Sequence, residues 1–299
     1  MAETDGLGPF PDAPSSDSGE GRAWSLVIRP KSGWIDLNLG DLLHYRDLVW
    51  LFVKRDNSTV YKQTVLGPLW FIIQPIITTL IYGFVFGGLA RLSTDGVPAA
   101  LFYFGGTMLW QYYQTTLLNV SDTFVLNAGL FGKVYFPRLT VPIGKVLSNL
   151  FPLMVQTLTL AAIYIYQVLG GSPTRPGWGI IALPLVVLWL ALLAMGIGML
   201  VSALTKKYRD LRQLFQFGMG LWMYATPIVY PLSEIPGRVR WLMWVNPVTA
   251  PVELFRSIAF GAPFPPTAMM LTSLALTLTC FFLGLLLFRH NEASFVDVA

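Results

Sequence analysis

Long stretches free of Asp, Glu, Lys and Arg set the tightest limit on what this chain can fold into. About 20 mainly apolar residues are needed to cross the hydrocarbon core of a bilayer. Six charge-free runs reach that length: Gln63–Ala90, Gly96–Ser121, Val146–Thr174, Pro176–Thr205, Gln213–Ser233 and Ser257–Phe288. A seventh, Trp241–Val252, is too short to span and suits a re-entrant or interfacial helix. Prolines within the long runs (Pro75, Pro152, Pro184, Pro227) are tolerated where neighbouring helices re-satisfy the backbone. Only 12% of the 299 residues are charged, about half the share in a soluble domain, and the mean hydropathy is +0.58. The expected fold is an all-α integral membrane protein with six transmembrane helices within residues 63–290.

The basic residues orient it. With a cytoplasmic N-terminus, the inside segments hold Lys54, Arg55, Lys62, Lys133, Arg138, Lys145, Lys206, Lys207, Arg209, Arg212 and Arg289. The outside loops hold Arg91, Arg175, Arg238, Arg240 and Arg256. Both termini are therefore expected in the cytoplasm. The net charge of +4 reflects this topology; a nucleic-acid partner would need a basic cluster on a soluble face, and none is expected.

Residues 1–36 read as a disordered cytoplasmic tail. Met1–Gly21 is acidic, rich in Gly, Pro and Ser, and lacks the basic start and apolar core of a signal peptide. Residues 37–62 read as an amphipathic interface helix. Asp41 can cap it, and Leu42, Tyr45, Val49, Phe52 and Val53 share one face, with His44, Asp47, Lys54 and Arg55 opposite. The aromatic side is expected in the lipid headgroups. Residues 291–299 form a cytoplasmic C-terminal tail.

Enzyme signatures are missing. Gly132-Lys133 and Gly144-Lys145 are each followed by Val and lack the upstream glycine of a P-loop, so no ATP site is expected. Single Cys280 and distant His44 and His290 form no nucleophile–base set and no metal centre. All carboxylates are expected in tails or loops, whereas ion-coupled carriers usually bury them. The chain therefore reads as a transporter component driven by a partner.

The runs do carry aromatic residues interleaved with amides and hydroxyls. Tyr103 and Trp110 are seven apart, with Thr107 and Gln114 on the same face and Tyr113 adjoining. Phe215 and Trp222 form a second seven-spaced pair and Phe217 and Tyr224 a third, while Trp70, Gln74 and Thr78 descend one side of the first run. Such faces suit sugar rings, which stack on aromatic faces and hydrogen-bond at their edges; ordinary helix packing accounts for any one of them equally well. Trp70, Tyr103, Trp110, Tyr113, Phe217, Trp222 and Tyr224 are the candidate substrate path. Gly83 and Gly87, and Ala194 and Gly198, are small-residue steps that let helices approach. Two inside loops are too aromatic for simple tethers. Phe131, Lys133 and Tyr135 in one, and Lys207, Tyr208, Arg209 and Asp210 in the other, suit docking of a cytoplasmic partner.

Tyr61–Trp70 with Gln74-Pro75, Lys133–Arg138, Tyr208–Asp210, Thr226–Pro231 and Trp244–Pro247 resemble, in order, motifs of permease subunits of bacterial ABC-2 polysaccharide exporters. The O-antigen (lipopolysaccharide) exporters are the nearest pattern, with teichoic-acid and capsule permeases as relatives. The resemblance covers Leu37 to the C-terminus. It implies an inner-membrane homodimer with two copies of a separate ABC ATPase that binds ATP and Mg, this chain binding no cofactor. It also implies export of a polysaccharide on undecaprenyl diphosphate through a channel at the dimer interface, with Ser233–Arg256 as periplasmic gate helices and the two inside loops as coupling elements. The alternatives are an ABC-2 exporter of a teichoic acid, capsule glycan or small amphiphile. A membrane transferase would need a carboxylate or His cluster, and a passive channel rings of charge or carbonyls.

Overall fold

The Gly-, Thr- and aromatic-rich second run becomes the helix around which the others gather. It spans Ala99–Ser121, and most of its residues are buried, from Leu101 through Ser121. The structure is a computed structural model that describes residues 44–62, 66–131, 133–134, 136–171, 181–205 and 210–293. In chain order the helices are α1 (Arg46–Lys62), α2 (Trp70–Tyr82), α3 (Ala99–Ser121), α4 (Thr140–Ser148) and α5 (Leu150–Leu169). They continue with α6 (Leu183–Thr205), α7 (Asp210–Tyr224), α8 (Trp241–Val245), α9 (Thr249–Phe260) and α10 (Thr267–Ala293). No strand occurs among the described residues. The tail before residue 44, Asp41 and Leu42, and the residues after 293 lie outside the described residues.

Among the described residues, four segments are long and apolar enough to cross a membrane: Gly67–Leu89, Thr140–Leu169, Leu183–Thr205 and Thr267–His290. Each matches one of the six expected runs. The other two runs differ for identifiable reasons. α3 has 23 residues but carries Gln111, Gln114 and Asn119, which lower its apolarity. α7 has 15 residues, about 22 Å of helix, because the run's second half turns at Ala225-Thr226-Pro227.

The sixth run is also corrected at its start. α9 ends at Phe260, where Gly261 adopts φ 74° and its N–H bonds back to the Ser257 carbonyl. A left-handed C-terminal glycine is the usual way to stop a helix, and Pro263, Pro265 and Pro266 keep the chain from resuming until Thr267. Ser257–Phe260 thus belongs to α9 and not to the last helix.

α3 touches α2, α4, α5, α6, α7 and α9. The tightest crossing is between α6 and α10. A Cβ on Gly196 would lie 2.6 Å from the Phe281 Cα, and one on Gly284 would strike the Gly196 carbonyl. Without a hydrophobic driving force inside lipid, such close backbone contact is what holds helices together. Of the two predicted small-residue steps, Gly198 abuts Val120 of α3, and Gly83 and Gly87 face the Tyr103 ring.

α1 departs from expectation. Its Val49, Phe52 and Val53 face is buried, with Phe52 against Gly144 of α4, while Trp50 and Leu51 are exposed. The face expected in the headgroups is covered by protein because α4 and the 124–136 segment offer it an apolar cluster. Asp56 accepts a bond from Lys145 Nζ at 2.7 Å and ties the two helices.

Candidate functional site

A groove of about 540 Å³ opens between α2, α3 and α7. Helical spacing builds its walls, since residues three or four apart share a face. α3 contributes Thr107, Trp110, Gln111, Gln114, Thr115 and Asn119; α2 contributes Gln74, Thr78 and Tyr82; α7 contributes Gln216 and Met223. Gln74, Thr78, Thr107, Trp110 and Gln114, separate in sequence, therefore converge.

The amides are held in place. The Trp110 indole donates to Gln114 Oε1 at 2.9 Å, and Gln156 of α5 donates to Gln111 Oε1 at 3.0 Å. Asn119 donates to Asn149 Oδ1 at 3.3 Å, and Asn149 donates to Thr116 Oγ1 at 3.2 Å. Positioned polar side chains beside an aromatic face are what a carbohydrate site requires.

One ion pair closes the groove at the C-terminal end of α3. Arg212 Nη2 donates to Asp122 Oδ2 at 2.7 Å. Burial pushes the Asp122 carboxyl above its ordinary range, and the Arg212 guanidinium opposes that push. Asp122 begins one predicted docking loop, and Arg212 follows the other.

The predicted aromatic path separates into three groups. Trp110, Tyr113 and Trp222 form a cluster with ring centroids 5.5–6.4 Å apart, joining α3 to α7. Tyr103 is fully buried against α2. Trp70, Phe217 and Tyr224 stand exposed, with the Tyr224 side chain beside Tyr82 of the groove wall. Trp222 also donates to Asn246 Oδ1 at 3.2 Å, and Asn246 donates to Thr226 Oγ1 at 2.8 Å, so the Thr226–Pro231 and Trp244–Pro247 motifs meet.

The expectation that carboxylates stay in tails and loops fails at Glu253. It lies in α9, buried, and accepts from Arg256 Nη1 at 2.7 Å. Arg256, assigned above to an outside loop, is also buried and donates to the Pro227 and Ile228 carbonyls at 2.7 Å each. Its guanidinium stacks 3.7 Å from the Phe102 ring centroid. A Cβ on Gly106 would come within 3.0 Å of Arg256 Nη2, so α3 makes room for this cation with a glycine. The spacing Glu253…Arg256, one helical turn, was the available signal. Among the described residues no group of three or more His, Cys, Asp or Glu comes together to hold a metal ion.

The sequence model of the ABC-2 type transporter family matches residues 47–260. The chain belongs to that family. It is 28% identical over 267 residues to the O-antigen export system permease protein RfbA of Klebsiella pneumoniae, covering 87% of this chain and 97% of the relative. Its identity to the RfbA protein of Myxococcus xanthus is 26% over 265 residues, covering 86% and 97%. The polysialic acid transport protein KpsM of Escherichia coli is 26% identical over 243 residues, covering 80% and 91%.

In this ABC-2 permease the first of the predicted docking loops is partly built into a core. Phe131 is buried, 6.1 Å from Phe124 and 5.7 Å from Phe136 between ring centroids, and the Arg138 guanidinium lies 5.3 Å from its ring. Phe52 of α1 and Phe288 of α10 join the same cluster. Lys133 is exposed, and so is Asp210 at the start of α7. Tyr135, Lys207, Tyr208 and Arg209 lie outside the described residues.

Proposed function

We propose that this permease moves a lipid-linked polysaccharide of the O-antigen type from the cytoplasmic to the periplasmic side of the inner membrane. It works as a homodimer driven by two copies of an ABC ATPase, which bind ATP and Mg. α3 and α7 complete six spans with both termini cytoplasmic, α7 being extended by residues 225–231. α8 and α9 serve as the periplasmic gate.

The observation that carries this reading is the groove. A sliding polymer needs contacts that are weak, repeated and tolerant of register. Amides and hydroxyls along α2, α3 and α7 supply such contacts, with Trp110, 2% exposed, backing them from behind Gln114, whereas fixed free charges would hold one position too tightly. Relatives named for O-antigen export support the substrate class, and the one named for polysialic acid transport supports a capsule glycan as the second reading.

In the mechanism, the undecaprenyl diphosphate carrier delivers the glycan to the Asp122–Arg212 end. ATP hydrolysis in the partner moves the loops around Phe131, Lys133 and Tyr135 and around Lys207–Asp210. Because Asp122 and Arg212 adjoin those loops, the movement reaches the groove directly. The glycan then advances past Trp110 towards the α8–α9 side.

The test uses cells lacking this permease. Lipid-linked glycan is expected to accumulate on the cytoplasmic face while surface glycan disappears, and the intact chain should restore both. Wild-type surface glycan in the deletion strain would refute the proposal.

A further inference from the structure

The groove is neutral, and that bears on which polysaccharide it passes. Among the described lining residues, five are carboxamides (Gln74, Gln111, Gln114, Asn119 and Gln216) and three are threonines. The one cation among them, Arg212, is committed to Asp122 at 2.7 Å. Gln111 and Gln114 each accept one bond within the chain and Asn119 donates one, but every amide keeps a second lone pair or N–H, so together they still serve a sugar hydroxyl in either role. A carboxylate is served less well: it takes the donors, wastes the acceptors, and finds no uncompensated cation to offset its lost hydration. Repeated at every sugar, that deficit discriminates between polymers.

We infer that the groove selects polysaccharides with uncharged repeats, and that Asp122 enforces the choice by neutralising Arg212. This rests on the polysaccharide reading above and narrows it to a chemical class. The anionic lipid diphosphate occurs once per chain and lies outside the selection, which acts on the repeats. Gln74 is exposed on the groove wall, so a charge placed there alters the lining without disturbing a packed site.

The experiment uses the full chain with its partner ATPase, in cells supplied with one of two lipid-diphosphate-linked polymers of matched length. One is polymannose, which is neutral; the other is polysialic acid, with one carboxylate per sugar. The wild-type protein should export polymannose at least about tenfold faster. Gln74→Lys adds a free cation, and Asp122→Asn releases Arg212; each should narrow that ratio at least about threefold. Should Asp122→Asn fold poorly, the exposed Gln74→Lys decides alone, with Gln74→Glu expected to widen the ratio. Equal export of both polymers by the wild type, or a ratio unmoved by Gln74→Lys, overturns the inference while leaving the polysaccharide reading intact. Export of neither polymer overturns that reading and the inference with it.

Discussion

Arg256 and Arg212 stand near opposite ends of α3, and each holds one carboxylate at 2.7 Å. Their surroundings differ. The Arg256 side chain is 1% exposed, bonds two backbone carbonyls besides Glu253, and lies over Phe102. The Arg212 side chain is 38% exposed and bonds Asp122 at the edge of an open groove. The same pair of charges thus does two jobs. Fully enclosed, it fixes the Pro227–Ile228 turn against α3 and α9; at the groove edge, with the guanidinium 38% and the carboxylate 11% exposed, it joins α7 to the end of α3. Burial, and not the chemistry of the pair, separates the two.

The largest expected effect comes from breaking the enclosed end. Arg256→Leu leaves the Glu253 carboxylate and two carbonyls without their donor, a loss of about 3–5 kcal/mol. Purified protein should show a much lower unfolding temperature and a poor yield. Replacing both partners by Leu removes the stranded charge and should recover part of the loss. A single mutant as stable as the wild type would remove the contrast between the two ends.

Trp110 lies between the ends and comes next. A place on the proposed substrate path calls for Trp110→Ala to slow export while leaving assembly with the ATPase intact. Yet the ring is 2% exposed and packed on Tyr113 and Trp222, so truncation should also cost about 3 kcal/mol. Measuring complex yield beside export separates the two. If export falls no further than yield does, Trp110 is a packing residue and the groove loses its aromatic wall.

At the open end the effect on stability is smaller. Arg212→Ala leaves the Asp122 carboxylate, 11% exposed, without its donor, but the groove admits water beside it, so the cost is about 1–3 kcal/mol and the unfolding temperature should fall less than at the enclosed end. Export should fall well below the wild-type rate, because Asp122 is left without its partner where the two proposed docking loops adjoin the groove. Unchanged export would reduce the pair to a surface bridge and sharpen the Arg256 end as the only one that matters.

Much of this was legible in the sequence. Charge-free runs located α2, α3, α5, α6, α7 and α10, because hydrocarbon exposure forbids ionised side chains over such lengths, while α1 showed itself by its apolar spacing. The groove was partly legible too: spacing placed Gln74 and Thr78 on one face and Thr107, Trp110 and Gln114 on another, though not that the two faces meet. What stayed hidden follows from three-dimensional closure. Glu253 and Arg256 looked like loop charges because their compensation, from Pro227, Ile228 and Phe102, comes from distant parts of the chain. The apolar face of α1 was recognisable, but whether lipid or α4 would cover it depends on Gly144 leaving room for Phe52. Likewise, seven-residue spacing identified Phe215 with Trp222 and Phe217 with Tyr224 as stripes without saying which faces inward.

That last pair gives the smallest and cleanest test. Phe217 is 67% exposed on α7, so Phe217→Ala disturbs little within the chain and should leave its stability within about 0.5 kcal/mol of wild type. If the ring meets a moving glycan, the loss is one aromatic contact, about 1 kcal/mol, which corresponds to about fivefold in rate. If it meets lipid, export stays at the wild-type rate. If it meets a second copy of the chain, the dimer dissociates more readily and export falls only in proportion to the dimer lost. Measuring unfolding temperature, oligomeric state and export on the same preparation tells these apart. A fivefold slower export with an intact dimer is the expected result, and it would extend the path beyond the groove lining to Phe217.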